Sequence, residues 1–121
     1  MTSPPRTVEA IRLARTYLED NYAAKVSLDT LAQLVALSPF HLARLFQQDV
    51  GMPPHAYQIQ VRIARAKPLL LQGIAASRVA ADTGFFDLSH FTRHFKRQVG
   101  VTPAGYALIR NNVQDDMPDI A

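Results

Sequence analysis

Two stretches of this chain repeat one another. Residues 38–57 read SPFHLARLFQQDVGMPPHAY and residues 87–106 read DLSHFTRHFKRQVGVTPAGY. At an offset of 49, His41/His90, Arg44/Arg93, Phe46/Phe95, Val50/Val99, Gly51/Gly100, Pro54/Pro103 and Tyr57/Tyr106 are identical, seven of twenty positions. Leu42/Phe91 and Met52/Val101 add apolar matches. Upstream, LxxLAxxVALS (28–38) faces AxxVAxxTGFFD (76–87) with Ala32 against Ala80, an offset of 48, so the second copy has one extra residue in its turn. Each copy reads as a short helix, a tight turn and a longer helix. That is the helix-turn-helix plan, whose second helix enters the major groove of DNA. A duplicated hairpin used only for packing accounts for Phe46, Phe95, Val50 and Val99, which sit at core spacing. It does not account for Arg44 and Arg93. Buried packing rarely takes arginine, yet both copies place one near the start of the second helix. There a two-pronged guanidinium can reach guanine O6 and N7.

The rest of the chain is helical by spacing. Val8, Ile11, Ala14, Leu18 and Tyr22 recur at three and four residues and predict a first helix ending near residues 21–23. Pro4 and Pro5 suit its first turn. Ser27 can N-cap a second helix carrying Leu28, Leu31, Ala32 and Val35. Ser38-Pro39 opens a third, burying Leu42, Leu45, Phe46 and Val50, with Gly51 as its left-handed cap. Pro53-Pro54 starts a long fourth helix through Tyr57, Val61, Ala64 and Leu70-Leu71, ending at Gln72-Gly73. A fifth covers about residues 76–83 and stops at Gly84. Asp87 caps a sixth with Leu88, Phe91, Phe95 and Val99, closed by Gly100, and Thr102-Pro103 opens a short seventh through Tyr106 and Ile109. No segment alternates with period two. The expected class is all-α, with about seven helices in two helix-turn-helix subdomains joined by a long spacer helix. The expected boundaries are 1–53 for the first subdomain, 54–73 for the spacer, 74–110 for the second and 111–121 for a flexible acidic tail. The spacer would be roughly 28 Å long, near the roughly 34 Å between successive major-groove faces on one side of B-DNA.

Composition narrows the chemistry. The 121 residues include no cysteine, which removes disulfides, zinc–thiolate sites and a cysteine nucleophile. Apolar runs are too short to span a bilayer, and the N-terminus lacks the apolar stretch of a secretory signal, so a cytoplasmic protein is expected. The net charge of +3 says little until it is placed. Residues 1–37 are balanced, residues 38–110 hold nine basic and three acidic side chains, and residues 111–121 hold only Asp115, Asp116 and Asp119. A basic body behind an acidic tail suits a nucleic-acid partner.

With these residues in hand, the chain resembles the DNA-binding region of AraC/XylS-type transcription regulators. The likeness rests on SLDTLAQLVALSPFHLARLFQQDVG (27–51), on Tyr57, Arg62-Ile63, Ala66 and Leu69-Leu70 in the spacer, and on VAADTGFFDLSHFTRHFKRQVGVTPAGY (79–106). It covers about residues 8–108. The resemblance implies recognition helices at about Pro39–Val50 and Leu88–Val99. Carried over by position, it implies base reading by Phe40, His41, Ala43 and Arg44 in the first unit. In the second it implies base reading by Leu88, Ser89, His90, Thr92 and Arg93. Lys96, Arg97 and Ser38, with backbone N–H groups at the helix N-termini, would contact phosphates. The partners implied are double-stranded DNA and RNA polymerase. No cofactor is implied and no enzymatic role.

Several positions depart from the pattern. Ala36 stands where glycine is usual and where the second unit has Gly84; if that turn needs positive φ, alanine costs roughly 1 kcal/mol. Ala43 is too short to hydrogen-bond a base edge, which leaves it a thymine methyl. Ala76 replaces a larger core residue, and Gln58 an apolar one. Pro68 inside the spacer removes the bond to the Ala64 carbonyl and predicts a kink or an early stop between Ala64 and Pro68.

Rival chemistry is thin. His90 and His94 sit at i, i+4 but have no third metal ligand at a recognisable spacing. Ser89 and His90 are neighbours on a helix and do not face each other as nucleophile and base. The glycines are isolated, not a phosphate loop. The tail aspartates read as solvated, as do Arg12 and Arg15. A DNA-binding module of a transcription regulator is therefore expected. The alternative is a helical interaction domain that binds a partner regulator or polymerase without reading DNA. Such regulators usually carry a separate effector or dimerisation domain, absent from this chain. Pro4-Pro5 reads as the end of a linker, so a fragment of a longer chain is expected.

Overall fold

The structure, a computed structural model, describes the backbone of residues 5–116 and the side chains of residues 7–109. Seven helices follow one another: α1 (Pro5–Asp20), α2 (Leu28–Leu34), α3 (Pro39–Val50), α4 (Pro54–Leu71), α5 (Ala76–Asp82), α6 (Leu88–Val99) and α7 (Pro103–Asp116). No strand occurs among the described residues. The chain divides into two compact units inside α4, between Val61 and Arg62.

The helix boundaries follow from capping chemistry. The Ser27 hydroxyl accepts from the Thr30 N–H at 3.1 Å, and the Ser38 hydroxyl accepts from the His41 N–H at 3.1 Å. The Asp87 carboxylate accepts from the His90 N–H at 2.8 Å, and the Thr102 hydroxyl from the Gly105 N–H at 3.1 Å. Each satisfies an N–H that the first turn leaves without a carbonyl. Gly51 and Gly100 close α3 and α6 at φ 91° and 96°.

In the first unit Ile11, Ala14 and Leu18 of α1, Leu31 and Ala32 of α2, and Leu42 and Phe46 of α3 form the core. Tyr57 of α4 closes it edge-on against Phe46, ring centroids 5.8 Å apart at 67°. The second unit repeats that joint: Phe95 meets Tyr106 at 5.5 Å and 68°. Phe85, Phe91 and Phe95 continue the stack, with Val79 and Ala80 buried beside them. Five of the seven identities in the repeat are thus architectural. Phenylalanine and tyrosine make the joint, valine lies half-buried, glycine turns the chain and the helix-opening proline is buried.

The turn inside each unit is a Schellman motif. After α5, the Gly84 N–H reaches the Ala81 carbonyl and the Phe85 N–H the Ala80 carbonyl, with Gly84 at φ 92°. After α2, the Ala36 N–H reaches Gln33 and the Leu37 N–H reaches Ala32, with Ala36 held at φ 57°. A Cβ in this left-handed region is strained. Ala36→Gly is therefore expected to stabilise the chain by about 1 kcal/mol. In urea titrations the midpoint should rise with the slope unchanged.

Three expectations need correction. Val8 is 53% exposed, and Ala10 takes its place beside Ile11 on the buried face of α1. Helix α4 does not stop before Pro68; it stays helical to Leu71, and the Gln72 N–H bonds the Pro68 carbonyl at 3.0 Å. Ala64 and Pro68 both lie on the exposed side, where water can take the Ala64 carbonyl that proline leaves unbonded. Helix α7 is longer than expected and takes in the backbone of Asp115 and Asp116. Their side chains, Pro4 and Asp119 lie outside the described residues. Arg12 and Arg15 are exposed yet engaged, Arg12 by Glu9 and Arg15 over the Tyr57 ring at 5.3 Å.

The Tyr57 hydroxyl donates to Glu19 at 2.9 Å. Burial pushes this hydroxyl above its ordinary pKa. Gln58, the polar residue in an apolar position, is buried but satisfied: its amide donates to the carbonyls of Tyr22 and Ala24 at 3.1 and 2.7 Å. It ties α4 to the α1–α2 connection. No helix among the described residues is long and apolar enough to cross a membrane.

Candidate nucleic-acid interface

Helix α6 is sharply two-faced. Phe91 and Phe95 are fully buried. Leu88, Ser89, Thr92, Arg93, Lys96 and Arg97 line an open groove on the other side, at the i, i+1, i+4, i+5, i+8, i+9 spacing of one helical strip. Ser89, Arg93, Lys96 and Arg97 are exposed, Thr92 is half-buried, and Leu88 is 44% exposed. Arg93 has no ion-pair or hydrogen-bond partner among the described residues, and neither does Arg44 on α3. The two arginines shared by the copies are thus the identities that packing does not use.

Lys96 and Arg97 lie in the last turn of α6, where the helix dipole favours cations. That alone would explain their charge. It does not explain their alignment with Arg93 on one strip without an acid. The carboxylate nearest in sequence, Asp87, is spent at the helix N-terminus on the His90 N–H.

The α3 surface is weaker. Phe40 is 78% exposed and Arg44 is exposed, but α3 has no second cation and carries Asp49. Ala43 is half-buried on the flank, lining a small pocket with Leu31, Pro54 and Gln58. His41 is half-buried, and its N–H is taken by Ser38. The Ser38 hydroxyl is exposed; it accepts at the cap and keeps its own proton to donate.

His90 is placed differently from its neighbours. Its ring packs edge-on to Phe85 at 5.5 Å and to His94 at 4.7 Å. Its Nδ1 is buried without a hydrogen-bond partner among the described residues, and the ring does not line the groove. Among the described residues no third metal ligand joins His90 and His94. Of the backbone N–H groups at the N-termini of α3 and α6, those of His41 and His90 are taken by the caps. The residue that reasoning from sequence passed over is Phe86, 90% exposed in the turn before α6. Its signal was present in the repeat, as the one-residue change of offset.

A model of the helix-turn-helix domain matches residues 31–108. A helix-turn-helix-type transcriptional regulator of Bacillus subtilis (strain 168), YbfI, itself uncharacterized, is 40% identical over 90 residues, 74% of this chain and 33% of its own length. The chain spans about a third of the length of the curated relatives it matches. Among solved structures, an AraC-type transcriptional regulator from Chromobacterium violaceum superposes with a TM-score of 0.79 at 28% identity, over 85% of this chain and 93% of that one. The DNA-binding domain of AdpA, a global transcriptional factor solved in complex with a target DNA, gives 0.74 at 26% identity, over 95% of this chain and all of that one.

Proposed function

The chain belongs to the AraC-type helix-turn-helix family, and on that premise we propose that it binds double-stranded DNA sequence-specifically and regulates transcription. The observation that carries this reading is the α6 strip, with Arg93 partnerless at its centre and Lys96 and Arg97 beyond it. In this reading Arg93 forks onto a guanine, and Ser89, Thr92 and Leu88 take neighbouring base edges. Lys96 and Arg97 neutralise phosphates and fix the register. In the first unit Arg44 is the polar reader, Phe40 and Ala43 offer apolar contact, and Ser38 donates to a phosphate. His41 and His90 contribute less, because one is half-buried and the other is packed against Phe85.

The parent regulator is proposed to hold an effector or dimerisation domain beside this one, to act in the cytoplasm and to contact RNA polymerase. No catalytic role is proposed for this chain; its relatives include transcription regulators and two named as bifunctional transcriptional activator/DNA repair enzymes, of which the match covers less than half.

Selection of bound duplexes from a random pool tests the reading. An enriched site is expected, and recovery of unenriched sequence would contradict it. Within that assay Lys96→Ala should weaken selected and scrambled duplexes by the same factor. It should also flatten the salt slope by about one. A sequence-dependent loss at Lys96 would assign it to a base instead. An interaction module that does not read DNA would show neither salt dependence nor sensitivity to Arg93.

A further inference from the structure

The extra residue of the second unit is Phe86. The left-handed residue, Ala36 or Gly84, is followed by one that packs inward, half-buried Leu37 or buried Phe85. In the first unit the N-cap Ser38 comes next; in the second, Phe86 intervenes before the N-cap Asp87. The position just before an N-cap normally lets an apolar side chain staple onto the fourth helical residue, here Phe91. That place is taken: Phe85 stacks on Phe91 with centroids 5.1 Å apart. Phe86 is left 90% exposed, with Leu88 44% exposed two residues on. Packing in its own unit does not account for Phe86, which takes no part in the aromatic stack. Its position does. Phe86 adjoins the N-terminus of α6, where the strip of Ser89, Arg93, Lys96 and Arg97 begins. Leu88 lines that groove with Arg93 and Lys96, and Phe86 stands two residues before it; apolar side chains beside cations suit the thymine C5-methyl groups and the phosphates of the major groove.

We infer that Phe86, with Leu88, is a specificity-determining contact that reads thymine methyl groups at the edge of the second unit's site. This rests on the DNA-binding reading above. The chain is used to select a duplex, and each thymidine of that site is replaced singly by deoxyuridine, which removes the methyl and keeps every hydrogen bond. Wild-type affinity should fall about fourfold at one or two positions, the worth of one buried methyl. Phe86→Ser should bind the thymidine duplex about fourfold more weakly, should be indifferent to deoxyuridine at those positions, and should unfold at the same midpoint. Phe86→Leu should keep the discrimination. Equal deoxyuridine penalties in wild type and Phe86→Ser, no penalty anywhere, or a lowered unfolding midpoint in both variants would overturn the assignment while leaving DNA binding standing. Failure of the wild type to bind any duplex would overturn both.

Discussion

Arg93→Ala is expected to weaken binding to the selected duplex by about 1–3 kcal/mol and to relax preference at a single base pair. Both parts follow from position. The guanidinium is exposed at the centre of the α6 strip and is held by no partner among the described residues. Its removal costs the fold almost nothing, and thermal stability should move by no more than about 0.5 kcal/mol. A bidentate hydrogen bond to guanine distinguishes one base pair from three others, so the loss concentrates there. A uniform loss across sequences would instead make Arg93 a phosphate contact. Arg44→Ala applies the same test to the first unit.

Phe95→Ala should cost about 3–5 kcal/mol of unfolding free energy. Phe95 is fully buried between Phe91 and Tyr106, with centroids 5.5 Å away on either side. Truncation leaves a cavity at the joint of α6 and α7 that rigid aromatic neighbours cannot close. A small domain has a total stability of about 5–15 kcal/mol, so the second unit should be partly unfolded in the variant. DNA binding should fall with it. Urea unfolding followed by circular dichroism reads the effect; a loss under about 1 kcal/mol would mean that the joint does not hold the unit together.

The helices were legible because their ends are chemically marked. Serine, aspartate or threonine at the caps, proline in the first turn and glycine after the last all act locally, and local chemistry survives in a sequence. The strain at Ala36 was legible for the same reason, by contrast with Gly84. What did not show were choices between neighbours. Periodicity could not say whether Val8 or Ala10 completes the buried face of α1, since both lie within a turn of Ile11. It could not say which of Phe85 and Phe86 packs on Phe91, or that His90 turns toward Phe85. These are competitions for one volume, decided by tertiary packing. The early stop at Pro68 failed for the same reason: the helix runs on to Leu71 because the orphaned carbonyl can meet water, and exposure is not local. On α6, Arg93, Lys96 and Arg97 could be foreseen because a charged strip opposite phenylalanines is itself a periodic pattern. The change of offset marked an extra residue in the turn before α6, but it could not say that Phe86 is the one left outside, because an apolar residue in a turn reads as core.

The two units differ in what they offer DNA. Helix α6 presents three cations and no acid; α3 presents Arg44 and Phe40 with Asp49 behind them. In the proposed complex the α6 strip neutralises phosphates while its arginine reads sequence. The most direct test is the affinity of the wild-type chain for its selected duplex, and for a scrambled duplex, across a salt series. Log affinity should fall with log salt with a slope of about −2 or steeper for both duplexes, because Lys96 and Arg97 act on either. A constant preference for the selected duplex should remain throughout. A flat line would mean that the strip neutralises no phosphate, and equal affinity for the two duplexes at every salt concentration would mean that Arg93 reads no base.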